Sequence, residues 1–103
     1  MRLFGSRRAN PIRVILNVRA FVDGQMARLS LDAKANEGDR LKDLLKQVGR
    51  EGALDISVIR YILKGNPGVT VLQNGQRLSM PKGARARLAE GDQLSIITTM
   101  AGG

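Results

Sequence analysis

Arg13-Val14-Ile15-Leu16-Asn17-Val18-Arg19-Ala20-Phe21-Val22, then Asp23-Gly24, then Gln25-Met26-Ala27-Arg28-Leu29-Ser30-Leu31-Asp32, is the stretch from which the fold is read. Val14, Leu16, Val18 and Ala20 share one face of the first run, and Ala27, Leu29 and Leu31 share one face of the second. Alternation with a period of two marks a strand with one buried face. Asp23-Gly24 supplies the positive φ angles that a type I′ turn requires. The stretch predicts a β-hairpin.

Downstream the period changes. Leu41, Leu44, Leu45 and Val48 fall at the spacing of one helical stripe, with Asp39 placed to cap the start and Gly49 placed to end it. Residues 54–65 read two ways. Ile56, Ile59, Ile62 and Leu63 fit a short helix capped by Asp55 and stopped at Gly65, while three isoleucines and a valine also suit a strand. The helix is the choice, because Asn66-Pro67-Gly68 makes a turn just before the next strand, Val69–Gln73. Asn74-Gly75 then turns the chain back through Arg77-Leu78, Met80–Gly83 is an exposed loop, and Ala84–Leu88 is expected as a short edge strand. Glu90-Gly91-Asp92 launches a last β-branched run, Gln93–Thr99. One main helix across a mixed sheet, with the first and last strands pairing in parallel at its centre, is an α+β fold of the β-grasp type. The expected division is a basic, flexible tail at 1–11, the β-grasp domain at 12–99 and a flexible Gly-Gly tail at 100–103.

Composition narrows the chemistry. The chain has 103 residues, too few for two cores, with no Cys and no His. The usual thiolate and imidazole nucleophiles, proton shuttles and metal ligands are missing, so a self-contained hydrolase, zinc protein or redox enzyme is not expected. Seventeen basic against nine acidic residues give a net charge of +8. Arg2, Arg7, Arg8, Arg13 and Arg19 precede the first acid, Asp23, and Arg77, Lys82, Arg85 and Arg87 form a second basic stretch. Such charge fits a patch for nucleic acid or an acidic partner, and equally a solvated tail and loop. Aromatic residues make up only 3% of the chain, a poor supply for stacking bases. Nothing resembles an export signal or a membrane span, so a cytoplasmic location is the expectation.

Three segments carry a family resemblance: Val71-Leu72-Gln73-Asn74-Gly75, Leu88-Ala89-Glu90-Gly91-Asp92-Gln93-Leu94-Ser95-Ile96, and the terminal Ala101-Gly102-Gly103. Together, in this order, they resemble the ubiquitin-like sulfur carriers of the MoaD/ThiS type across roughly residues 12–103. Molybdopterin-type members commonly carry Pro-Pro before the tail, where this chain has Thr98-Thr99. The resemblance implies a carrier or synthase small subunit rather than an enzyme. It implies that an E1-like adenylyltransferase spends ATP to adenylate Gly103, whose carboxylate then becomes a thiocarboxylate. An acceptor synthase or sulfurtransferase would use that sulfur for molybdopterin, thiamine or a related cofactor. Gly102, Ala101 and Met100 would thread the partner's channel, with no cofactor or metal bound by the chain itself. A protein modifier joined through Gly103 to lysines, and a basic RNA-binding module, are the competing readings.

Overall fold

The computed structural model describes residues 10–22 and 24–98. Strands β1 (Pro11–Val22) and β2 (Gln25–Asn36) form the hairpin, helices α1 (Leu41–Arg50) and α2 (Ile56–Leu63) follow, and strands β3 (Val69–Gln73), β4 (Gln76–Leu78) and β5 (Gln93–Thr98) complete one sheet. The order across the sheet is β2-β1-β5-β3-β4, with β1 and β5 parallel and every other neighbouring pair antiparallel.

Alternation along β1 is strict, with Ile12, Val14, Leu16, Val18, Ala20 and Val22 buried on one face. Leu94 and Ile96 of β5 and Val71 of β3 extend that face, and α1 covers it with Leu41, Leu44, Leu45 and Val48. α2 adds Val58, Ile59 and Ile62. A side chain of this kind taken out of water contributes about 1.5–3 kcal/mol, which is why both helices lie on the sheet rather than fray. Among the described residues, the other face of the sheet carries no helix.

Hairpin, α1 and parallel central pair follow the sequence reading. Gly24 has the positive φ of +78° that the first turn needs, while Asp23 lies outside the described residues. Segment 54–65 contains a helix, Ile56–Leu63, with Asp55 at its cap and Gly65 beyond its end at φ +75°. Ile56, however, is 52% exposed, and Val58 takes the buried place on the stripe.

Three local expectations are corrected. Arg40, not Asp39, is the first cap: its N–H donates to Asp43 Oδ2 at 2.9 Å, while Asp39 Oδ2 turns back to accept from Asn36 N at 3.0 Å. Gly49 lies inside α1, where a Cβ would stand 2.6 Å from Ile59 Cδ1, so its bareness lets the two helices touch. Gly52, at φ +81°, is the left-handed residue, and bonds from Gly52 N to the Gly49 carbonyl and from Ala53 N to the Val48 carbonyl close a Schellman end. Ala84–Leu88 is not a strand: Lys82–Arg85 form a 3-10 turn and only the single bridge Arg40↔Arg87 follows. That turn holds α1 in place, through Leu41 N to the Ala86 carbonyl and Leu88 N to the Asp39 carbonyl, both 2.9 Å.

A Cβ at Gly52 would meet nothing within 4 Å, so Gly52→Ala tests backbone conformation alone. The expected loss of stability is about 1 kcal/mol, read by chemical denaturation.

Candidate functional site

β5 is the central strand, and it is the last element among the described residues. Its start is fixed by Asp92, which is 7% exposed. Asp92 Oδ2 accepts from Ala89 N (2.8 Å) and Gln73 Nε2 (2.9 Å), and Oδ1 accepts from Asn74 Nδ2 (2.8 Å). Asn74 Oδ1 in turn accepts from Gln93 N, and Asn74 N donates to the Gln93 carbonyl, both at 2.8 Å. Asn74 can do this because it sits in the left-handed region (φ 52°) beside Gly75 (φ 83°), as a type I′ turn demands. Burial works to raise the Asp92 pKa, but the donors from Asn74, Ala89 and Gln73 outweigh it and hold the carboxyl below its ordinary value. Two of the three segments quoted from the sequence therefore meet in one clasp.

Toward Thr98, the last described residue, β5 is still held to β1. The parallel register runs from Ile15↔Gln93 to Arg19↔Ile97. Beyond it, Phe21 N–H donates to the Thr98 hydroxyl oxygen at 2.6 Å, so a side chain takes the donor that a continuing ladder would use. Thr98→Val removes this acceptor and is expected to cost about 1 kcal/mol with faster exchange of the Phe21 amide, whereas Thr98→Ser retains most of the stability. Met100, Ala101, Gly102 and Gly103, the residues expected to carry the chemistry, lie outside the described residues.

The helix-free face beside this end is apolar and basic. Ile15, Met26 and Ile97 are exposed there, three of the four large apolar side chains that are exposed among the described residues. Arg19 stands directly opposite Arg28, and Asn17, Ser30, Ser95 and Ile97 complete a shallow depression of about 440 Å³ with them. Ser30 Oγ donates to Asn17 Oδ1 at 2.7 Å. Arg13, Lys34 and Arg77 share the face, and Asp32 is its one acid among the described strand residues. Sequence reading located the charge in segments but not on this face. The signal was available in the Asp23-Gly24 turn, which sets the register that brings Arg19 and Arg28 together.

Among the described residues no group of three or more acidic side chains could hold a metal, and no helix is long and apolar enough to cross a membrane.

A mixed five-stranded sheet with a parallel central pair and helices on one face defines a ubiquitin-like β-grasp protein. The sequence profile of the ThiS family matches residues 24–103, and the chain belongs to that family. Comparison with curated proteins returned no significant match. Among solved structures, the HVO 2177 protein of Haloferax volcanii is similar at a TM-score of 0.59 and 24% identity, covering 90% of this chain and 88% of that one. Small archaeal modifier protein 1 of Methanosarcina acetivorans gives a TM-score of 0.55 at 18% identity, over 92% of this chain and 100% of that one. The same modifier from Haloferax volcanii gives 0.53 at 20% identity, over 86% and 99%. At these identities the likeness to the three structures is one of fold.

Proposed function

We propose that the chain is a carrier whose reactive group is its own C-terminal carboxylate, at Gly103. The observation that carries this is the extent of the ThiS family match, which runs through the Gly-Gly end. The strand that leads toward that end supports it: β5 is held by β1 on one side and β3 on the other, and its start is fixed by the clasp at Asp92.

A carboxylate is a poor electrophile because neither oxygen leaves readily. Attack of a Gly103 oxygen on ATP in an E1-like partner expels pyrophosphate and gives an acyl-adenylate. Hydrosulfide, supplied by a sulfur donor, then attacks the acyl carbon and displaces AMP, leaving a thiocarboxylate. This chemistry needs no nucleophilic side chain from the carrier, in keeping with a chain that has no Cys and no His. Gly102 offers backbone without a side chain, which suits a narrow, water-excluding channel. Ala101 and Met100 would line the same passage, with Met100 as an adaptable apolar contact. An acceptor synthase or sulfurtransferase would then take the sulfur, in molybdopterin, thiamine or related cofactor synthesis.

The acyl-adenylate could alternatively pass to a lysine, as the name of the structurally similar small archaeal modifiers suggests for them. Mass spectrometry of the chain made in cells together with its activating enzyme separates the two outcomes. A mass gain equal to one oxygen replaced by sulfur supports the carrier; chain remnants attached to target lysines support the modifier instead.

A further inference from the structure

β2 is one of the two edge strands of the described sheet, and three donors on β1 fix which way its main chain points. Ile15 N donates to the Asp92 carbonyl (2.9 Å), Phe21 N to Thr98 Oγ1 (2.6 Å) and Arg13 N to Glu90 Oε1 (3.0 Å). All three lead away from β2, where these residues stand opposite Asp32, Met26 and Lys34. Residues of an antiparallel pair that exchange no bonds with each other turn their main-chain groups to the opposite sides. Met26, Arg28, Ser30, Asp32 and Lys34 therefore direct N–H and C=O outward.

Near Asn36 the fold closes this edge itself. Asn36 N donates to Asp39 Oδ2 (3.0 Å), its carbonyl accepts from Asp39 N (2.9 Å), and Gln47 Nε2 donates to the Lys34 carbonyl (3.2 Å). Among the described residues nothing does the same for Met26, Arg28, Ser30 and Asp32. Ala27, Leu29 and Leu31 on the helix side are only half-buried, while Ala33 and Ala35 of the same strand are buried. An open edge with part-exposed apolar side chains invites another strand.

We propose that the occupant is a second copy of this chain, its β2 pairing antiparallel about a two-fold axis through Ser30. In that register Arg28 stands opposite Asp32 of the second copy, and Asp32 opposite its Arg28. On the helix side Leu29 meets Leu31 and Ala27 meets Ala33, so like faces join and the sheet continues. Centring the pair on Arg28 or on Asp32 instead would oppose like charges, and centring it on Leu29 would leave Arg28 facing Ser30. The Ser30 register neutralises both charges, and it brings a counter-charge to an arginine whose cross-strand neighbour on β1 is Arg19. Arg28, Ser30 and Asp32 each gain main-chain partners. β5 runs in opposite directions in the two copies, so the two Thr98 residues lie toward opposite ends of the joined sheet, clear of the interface. The dimer is independent of what Gly103 carries.

Sedimentation equilibrium of the full chain tests it. Wild type is expected to show a dilution-dependent mixture of the 11.2 kDa chain and its dimer. Arg28→Asp and Asp32→Arg each place two like-charge pairs at the interface, so each should weaken the dimer at least about tenfold. Mixing the two variants, or combining them in one chain, restores opposite charges and should restore the dimer. A measurement on wild type alone keeps the test independent of variant folding: the Arg28, Ser30 and Asp32 amides should be protected from exchange at high concentration and lose protection on dilution. A chain that stays monomeric at every concentration overturns the proposal, including the case in which residues 1–9 cover the edge. A dimer indifferent to both charge changes, or variants that associate no better together than apart, overturns it as well.

Discussion

Deleting Gly103 is expected to abolish adenylation of the chain by its activating enzyme, and adding one residue after it should do the same. Each residue of extended chain spans about 3.3–3.6 Å, and a reacting group misplaced by about 1 Å can already lose a hundredfold in rate. Exchange of labelled pyrophosphate into ATP, dependent on the carrier, should therefore fall by at least about a hundredfold in both variants. The folded domain should be untouched, because the buried core described is built from residues between Ile12 and Ile96. Circular dichroism and thermal melts should overlay with wild type. Undiminished exchange by the shortened chain would show that the reactive group is elsewhere.

The second large effect belongs to Asp92. Asp92→Ala removes the acceptor of three donors, Ala89 N, Asn74 Nδ2 and Gln73 Nε2, at a position that is 7% exposed. The two amide side chains can turn toward solvent, but the Ala89 N–H belongs to the turn and cannot. An unfolding free energy lower by about 2–4 kcal/mol is expected in urea. Asp92→Asn keeps an acceptor but loses the charge, and its loss should be smaller. Acid should act through the same residue. Its native pKa lies below the ordinary value of 3.8, so the clasp contributes fully above that value and fades as pH falls through the depressed native one. Stability of Asp92→Asn should therefore fall less than that of wild type over that acid interval. Beyond stability, the clasp ties the Asn74-Gly75 turn to Gln93, the first residue of β5, so the same variant loosens the strand that leads to the chain end.

Much of this was legible in residues with a strict local rule. Period-two alternation in β1 and the Asp23-Gly24 turn placed the hairpin, and the Leu41-Leu44-Leu45-Val48 stripe placed α1. The errors fell where a tertiary contact overrode the local rule. Gly49 looks like a helix terminator, yet Ile59 of the next helix needs the space a Cβ would fill. Asp39 looks like a cap, yet its carboxylate serves the Asn36 amide at the end of β2. Ala84–Leu88 looked like a strand, but its main chain is shared between a 3-10 turn and the start of α1. At the site, the Asn74-Gly75 and Gly91-Asp92 motifs were readable as segments. That they grip each other was not, since no local pattern shows that Asp92 reaches the Asn74 side chain across 18 residues of chain. Thr98 stood out only as a departure from Pro-Pro; that its hydroxyl accepts from Phe21 N, 77 residues away, was hidden for the same reason.

The excess of positive charge also gains a place. Arg13, Arg19, Arg28, Lys34 and Arg77 lie on the helix-free face among exposed Ile15, Met26 and Ile97. A surface that mixes cations with apolar side chains suits a protein partner with acidic groups better than a nucleic acid, given the scarcity of aromatic rings for stacking. Steep salt dependence of RNA affinity, surviving removal of the Gly-Gly end, would argue the other way.

The most direct measurement is fragmentation of the intact chain by mass spectrometry after incubation with its activating enzyme, ATP and a sulfur source. A carrier is predicted to show one oxygen replaced by sulfur, confined to C-terminal fragments that contain Gly103 and absent from every fragment that lacks it. An unchanged mass despite an active enzyme, or sulfur located anywhere else in the chain, would contradict a C-terminal thiocarboxylate.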